Sequence, residues 1–185
     1  MLRILAILFF SLSLQAFATK DPWDSDKSFW SPLMVRAYYN DTLAIDSLLS
    51  AGSRVNERER KFGWTALQVA VMKGNHNVVK HLLKQSVDPN LCDFSGYTPL
   101  MEACLFDNFS IAQTLLKYGA NPNIRLKNGW SALMGATSFA EVRVVELLLK
   151  NRAKVNAKRT VDGITALQLA KDPGKRQLLL QYGAK

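Results

Sequence analysis

An eight-residue motif recurs four times along the 185-residue sequence, and its first glycines are 33, 33 and 34 residues apart. Two further series keep this interval: a Leu-Leu pair that follows each motif, and a periodic asparagine (Asn56, Asn90, Asn123 and Asn156). A unit of this length cannot bury an apolar face alone, so the pattern predicts a stack of similar units sharing one core. The copies are GWTALQVA (63–70), GYTPLMEA (96–103), GWSALMGA (129–136) and GITALQLA (163–170).

Each motif has the features of a helix start. Its third residue carries a hydroxyl that can accept a hydrogen bond from an amide of the first turn, and Pro99 suits a first helical position. A second apolar run, such as 78–84, has helical spacing and is followed by a residue suited to a left-handed helix end. Turn residues at 88–90 and 121–123 then predict an extended hairpin. The capping residues are Thr65, Thr98, Ser131 and Thr165, and the terminating glycines are Gly52, Gly119 and Gly183.

This arrangement resembles the ankyrin-repeat family over residues 31–185. The resemblance implies an all-α fold, an ankyrin-repeat solenoid of helix-turn-helix units joined by β-hairpin loops. Arg36 replaces the small residue usual at its position, and residues 172–174 shorten the last unit. Both changes are expected of terminal repeats, which must face water. The five predicted repeats are 31–58, 59–92, 93–125, 126–158 and 159–185.

The resemblance has one consistent exception. The family's TPLH motif ends in a histidine, but the four corresponding residues here are Gln68, Met101, Met134 and Gln168. We expect this change to remove hydrogen bonds between neighbouring repeats without altering the fold.

The N-terminal segment has the pattern of a secretory signal peptide. Arg3 precedes a mostly apolar run at 4–14, and Ala16-Phe17-Ala18 is a small-x-small cleavage site. The apolar run is about half the ~20 residues that span a bilayer. We therefore expect a signal peptide (1–18) cleaved after Ala18, a polar lead-in (19–30), and a periplasmic or secreted protein that stays out of the membrane after cleavage. A signal of this kind on a small repeat domain suggests a bacterial source.

The basic balance of the chain does not select a partner. The net charge is +9, and it becomes +8 without Arg3, the only charged residue of the signal peptide. That charge is compatible with an acidic protein, a nucleic acid or an anionic surface. The basic segments 58–61 and 150–159 span different predicted elements, so we interpret them as solvated surface and expect no nucleic-acid partner.

The sequence lacks the usual signatures of catalysis. It contains neither a phosphate-binding glycine loop nor a nucleophile elbow. His76 and His81 are five residues apart, which places them on different sides of a helix, and the carboxylates form no defensible acid–base pair. We predict no catalytic residue, no metal and no cofactor. Cys104 is expected to be buried and not bonded to Cys92.

The resemblance implies that a partner binds to the hairpin tips and the exposed face of the first helices. Large apolar residues recur there at the repeat interval, and we predict that they form an apolar stripe. The alternative is that these side chains fold over the hairpins and pack between repeats. The predicted partner-binding residues are Trp30, Tyr38, Tyr39, Phe62, Trp64, Met72, Phe94, Tyr97, Leu105, Phe106, Trp130 and Phe139.

These features predict an exported, monomeric, non-catalytic scaffold that binds another protein, such as an envelope enzyme or a toxin. Two alternatives remain open at this point. The chain could be an inhibitor or immunity protein that blocks an enzyme or toxin, or an envelope-surface binder that uses its positive charge on anionic membrane or cell wall.

Overall fold

Ten α-helices occur within residues 29–185, the part of the chain that the computed structural model describes. The predicted signal peptide (1–18) and residues 19–28 of the predicted lead-in lie outside this part. The helices follow one another in pairs, one pair in each predicted repeat, which confirms the all-α repeat fold. The pairs are α1 (Pro32–Tyr38) with α2 (Thr42–Ser50), α3 (Ala66–Lys73) with α4 (His76–Leu83), α5 (Pro99–Leu105) with α6 (Phe109–Lys117), α7 (Ala132–Phe139) with α8 (Val142–Lys150), and α9 (Ala166–Leu169) with α10 (Pro173–Gln181).

The first helices of the second, third and fourth repeats are capped as the sequence predicts. The hydroxyls of Thr98 and Ser131 each accept a hydrogen bond, at 3.3 Å, from the amide three residues further on. At Thr65 the capping is reciprocal, because Gln68 Oε1 also accepts from the Thr65 amide at 3.2 Å. These bonds satisfy amides that the helix itself leaves without partners.

The segments between the helix pairs are tight turns that stack on one another. Residues 29–185 contain no β-strand, and an isolated bridge joins Arg125 to Ser131. The predicted extended hairpins are therefore turns with few ladder bonds. Successive turns touch through their backbones, since the amide of Thr160 donates to the carbonyl of Asn128 at 2.9 Å.

One apolar core runs along the stack. Each first helix packs against its own second helix and against the first helices of adjacent repeats. Ala70, Ala103 and Ala136 are fully buried, and their small size lets these helices approach closely. Arg36 in the first repeat is exposed, as expected for a cap. The largest fully buried side chains are Leu33, Met34, Ile45, Leu67, Leu82, Leu100, Ile111, Leu115, Leu133, Met134, Leu148 and Leu179.

The periodic asparagine joins each repeat to the next. Asn90 Oδ1 accepts from the amide of Asn121 at 2.7 Å, and its Nδ2 donates to the carbonyl of Gly119 at 3.3 Å. These bonds satisfy backbone groups at the end of the neighbouring second helix, where intrahelical partners are lacking. Asn123 and Asn156 make the same pair of bonds, and Asn56 makes the first of them.

The expected loss of hydrogen bonds between repeats does not occur at Gln68. Its Nε2 donates to the carbonyl of Tyr97 in the next repeat at 3.1 Å, while its Oε1 caps the helix. A glutamine side chain carries both a donor and an acceptor, as an imidazole does, so our expectation was wrong at this repeat. Met101 and Met134 are buried and contribute apolar packing at the corresponding positions.

A residue with left-handed backbone follows the second helix in each repeat, but it is not always glycine. Gly52, Gly119 and Gly183 have φ between 82° and 90°, whereas Ser86 and Arg152 have φ of 58° and 63°. A residue with a side chain pays about 1–2 kcal/mol to adopt this conformation. Glycine avoids that cost, but it loses about 0.5–1 kcal/mol more than other residues because its unfolded chain is more flexible.

Ser86→Gly and Arg152→Gly are each expected to raise the free energy of unfolding by about 0.5–1 kcal/mol. Urea denaturation measures the change. The reverse substitution, Gly119→Ala, is a matched control: no atom lies within 4 Å of the added Cβ, so only the backbone term changes, and stability should fall. Absence of a gain in both glycine variants would contradict this account of strain.

Candidate binding surface

Five of the twelve predicted partner-binding residues expose much of an aromatic ring. Phe94 is 60% exposed, Tyr39 58% and Phe106 45%, and Phe62 and Phe139 are 39% and 37% exposed. Tyr39, Phe106 and Phe139 occupy the same position in their repeats, at the end of a first helix, which places them in one line along the stack. The half-buried members of the predicted set are Tyr38, Trp64, Met72, Tyr97, Leu105 and Trp130.

Trp30 does not belong to the exposed set. Its side chain is only 8% exposed, so an incoming partner would find almost no indole surface to cover. The assignment of Trp30 to the partner-binding surface stays a prediction. Burial of a large apolar ring is more favourable than its exposure to water.

The predicted residues on the turns support one another. Phe62 stacks on Trp64 with ring centroids 4.4 Å apart and an interplanar angle of 22°. The ring of Phe94 lies across Gly63, where a Cβ atom would come within 2.5 Å of it. These contacts explain why Trp64 is half-buried while Phe94 is mostly exposed. The turn aromatics therefore combine packing between repeats with an outward-facing surface.

The predicted residues near the first helices form two further groups. Tyr38 and Tyr39 meet edge to face with centroids 5.0 Å apart. Leu105 and Trp130 both approach Gly135: a Cβ there would lie 3.5 Å from Leu105 Cδ2 and 3.5 Å from Trp130 Nε1. The absence of a side chain at Gly135 thus leaves room for both residues beside α7.

A buried carboxyl that the sequence analysis left among scattered carboxylates lies beside this surface. Glu102, on α5, is 4% exposed, and no group within residues 29–185 hydrogen-bonds its Oε2. Burial and the nearby Asp93 carboxylate raise the pKa of Glu102 well above its usual value, against a hydrogen bond from Gln68 that lowers it.

Asp93 is held at the rim of the same cluster. Its Oδ1 accepts from the amide of Tyr97 at 2.8 Å, and the Trp64 indole also hydrogen-bonds the carboxylate. Burial raises the pKa of Asp93 in spite of these bonds. Burial, together with Asp93 and Glu102, also raises the pKa of the Tyr97 hydroxyl. We refer to Trp64, Asp93, Tyr97 and Glu102 as the carboxyl cluster.

A comparison among the repeats could have singled out Glu102 from the sequence. The position lies on the inner side of the first helix, where the other four repeats carry only apolar residues or glycine. A carboxyl group is costly at a position whose neighbours are apolar. The equivalent residues are Val35, Val69, Gly135 and Leu169.

The described residues show no cluster suited to metal binding. No group of three or more histidine, cysteine or acidic side chains within residues 29–185 is placed to hold a metal ion. His76 hydrogen-bonds Thr114 at 2.8 Å, and His81 hydrogen-bonds Asp46 at 2.7 Å. Both histidines thus link second helices of adjacent repeats. A depression lined by residues between 122 and 157 contains no histidine, cysteine or carboxylate.

The two cysteines differ in their surroundings. Cys104 is fully buried, as predicted, whereas Cys92 is half-buried, and both are free thiols. Burial and the nearby Asp107 carboxylate raise the pKa of Cys104 to about 12. Its thiol is therefore protonated at neutral pH and behaves as a small apolar core residue.

Two of the five cations of the basic segment 150–159 form local ion pairs. Lys150 pairs with Glu146 at 2.6 Å. Arg159 donates to Asp162 at 2.9 Å and lies 5.6 Å above the ring of Trp130. Exposed pairs of this kind contribute little to stability. Lys150 ends α8 and Arg159 lies on a turn, so the two cations belong to separate elements. Within residues 29–185, no helix is both long and apolar enough to cross a membrane.

Comparisons with known proteins agree with the repeat geometry. A family model of ankyrin repeats in three copies matches residues 33–126, and an ankyrin-repeat model matches residues 128–160. Similar curated proteins include the mitochondrial disaggregases of Bos taurus and Homo sapiens, which are 43% and 40% identical over 75 residues. The match covers 40% of this chain and 10% of each disaggregase.

Proposed function

This chain belongs to the ankyrin-repeat family, and from that premise we propose that it is an exported, non-catalytic scaffold that binds a protein partner through the line of Tyr39, Phe106 and Phe139. Ankyrin repeats form protein–protein interaction modules.

The observation that carries the proposal is the exposure of aromatic residues at the same position in three repeats. Tyr39, Phe106 and Phe139 each keep 37% or more of the side chain exposed, although burial would favour an aromatic ring by about 1.5–3 kcal/mol. Phe62 and Phe94 add apolar surface on the turns. Aromatic residues gathered on one face are typical of interaction surfaces, where they supply much of the binding free energy.

The fold itself does not require aromatic rings at the line positions. The second repeat has Lys73 at the corresponding position, and its first helix is complete and capped. The side chain at the helix end can therefore be charged without loss of the helix. Binding to a partner explains the aromatic residues at this position in the first, third and fourth repeats.

Export is supported by the sequence pattern of residues 1–18, which fit a cleaved signal peptide. The partner would then be a protein of the periplasm or the extracellular space. The 75 residues shared with the disaggregases are too small a part of those proteins to carry an enzymatic activity over to this chain.

Replacing Phe106 and Phe139 together with serine is expected to weaken partner binding by about tenfold or more, since aromatic anchors at interfaces each contribute about 1–2 kcal/mol or more. The measurement is quantitative capture from the envelope fraction, with the full-length chain expressed and exported as bait. A bait that begins at Thr19 would show cleavage after Ala18.

The matched control is Leu43→Ser, because Leu43 is 80% exposed but lies on the second helix α2, away from the line. The control should keep the partner, and all variants should show the same thermal melting curve. Equal capture by the double variant and the control would overturn the proposed surface. A loss confined to a variant that has also unfolded would instead assign the two rings to packing.

A further inference from the structure

We propose that the carboxyl cluster receives a basic side chain, an arginine or a lysine, from the protein partner. This inference rests on the proposed function and specifies one chemical feature of the partner. It concerns the region beside Glu102, between the second and fourth repeats.

The first observation is an unsatisfied buried oxygen. Glu102 Oε2 is buried and has no hydrogen-bond partner within residues 29–185. Leaving a buried polar group unsatisfied is costly, and more so for a charged one. The corresponding residues Val35, Val69 and Leu169 show that the helix accepts an apolar side chain here. The helix therefore does not require a carboxyl at this position.

The second observation is the lack of a cation. Neither Asp93 nor Glu102 forms an ion pair with another described residue. Burial and the Asp93 carboxylate both disfavour a charge on Glu102, as the raised pKa of Glu102 reflects. A cation placed between them would relieve this repulsion and supply donors to the unsatisfied oxygen.

The third observation is that aromatic side chains lie beside the two carboxyl groups. Trp64 and Tyr97 are both half-exposed members of the cluster, and the face of an aromatic ring attracts an ammonium or guanidinium group. Gly135 on the neighbouring α7 adds no side chain, and Trp130 lies beside it. The aliphatic stem of a long, flexible basic side chain can lie along such rings while its charged end reaches the carboxylates.

The two carboxyl groups lie at different depths below the surface. Asp93 is half-exposed and Glu102 is buried, so an incoming cation meets Asp93 first. A metal ion is not the expected ligand, because the described residues place only two carboxylates here, without a third ligating side chain.

The test uses the whole chain and two blocked glycine-rich peptides, one with a central arginine and one with a central lysine. The neutral counterparts carry citrulline and acetyl-lysine. Binding is followed by NMR through the indole N–H signals of Trp64 and Trp130. We expect a basic peptide to shift these signals, and its neutral counterpart to bind about tenfold more weakly, as expected for loss of a charge-assisted hydrogen bond.

Two variants show whether Glu102 is responsible. Glu102→Gln keeps the shape but removes the charge, and it should weaken binding of the basic peptide about tenfold. Glu146→Gln is the control, because it removes the same charge from α8, where Glu146 pairs with Lys150. Circular dichroism checks that both variants are folded.

Three outcomes would overturn the inference: no shift with either basic peptide at millimolar concentration, equal binding of the neutral peptides, or equal weakening by both variants. Its failure is distinct from failure of the proposed function. If Glu102→Gln retains the captured partner while the Phe106 and Phe139 double variant loses it, the scaffold proposal stands and only the basic-residue pocket is lost.

Discussion

Alanine at Gly129 is expected to destabilise the protein by about 3–4 kcal/mol, whereas alanine at Gly163 is expected to cost only about 1 kcal/mol. Both glycines have left-handed backbone, with φ of 80° and 71°. Both substitutions therefore carry a similar conformational penalty. The difference between them isolates what surrounds the added methyl group.

The surroundings differ because the following turn packs directly against Gly129, whereas no other turn packs against Gly163. A Cβ at Gly129 would lie 2.6 Å from the backbone nitrogen of Thr160 and 2.9 Å from Arg159 Cα. Nothing lies within 4 Å of a Cβ at Gly163, which is on the last turn. Backbone atoms cannot rotate away as a flexible side chain can, so the clash must separate two repeats.

Urea denaturation of the two alanine variants measures the difference directly. Gly63→Ala provides an intermediate case, since its Cβ would meet the ring of Phe94 at 2.5 Å and a ring can turn outward. We expect Gly129→Ala to cost the most, then Gly63→Ala, then Gly163→Ala. Equal costs at Gly129 and Gly163 would show that stacking of the turns contributes nothing.

The repeat frame could be predicted from the sequence because it depends on local chemistry. A hydroxyl such as that of Thr98 followed by a proline such as Pro99 favours a helix start. The constant interval between motifs indicates that each unit has the same structure as the one before it. The bonds between units could not be predicted. The period showed that Asn90 recurs, but only the fold shows that its amide reaches Asn121 and Gly119. Gln68 was misread for the same reason, since its acceptor, the carbonyl of Tyr97, lies in the next repeat.

The candidate surface was only partly predictable for a related reason. Register identified Tyr39, Phe106 and Phe139, whose exposure follows from their place at a helix end. The half-burial of Trp64 depends on Phe62, which stacks on it, and sequence order does not specify such contacts. Glu102 differs from its equivalents Val35, Val69, Gly135 and Leu169, so the sequence does mark the position, but only the fold shows that its Oε2 is buried without a hydrogen-bond partner.

Glu102→Gln is expected to raise the free energy of unfolding at about pH 8 by about 1–3 kcal/mol, the range for an unsatisfied buried polar group. The expected gain is largest at alkaline pH and smallest in acid. In the unfolded chain the Glu102 carboxyl ionises near its ordinary pKa, whereas in the folded chain burial and Asp93 raise that pKa. The folded state thus holds the proton more tightly, and its stability falls as pH rises toward the folded pKa. The raised pKa of Asp93 acts in the same direction.

Urea denaturation from about pH 5 to about pH 9 tests this linkage. The unaltered chain should lose stability over this range, and Glu102→Gln should reduce the loss, because it removes the buried carboxyl whose pKa is raised. Glu146→Gln, on the paired and exposed side of α8, should follow the unaltered chain. Parallel curves for all three proteins would mean that Glu102 is accommodated at no cost. A carboxyl that lowers stability at neutral pH, at a position where valine serves in two other repeats, is instead explained by a partner's cation that offsets the cost on binding.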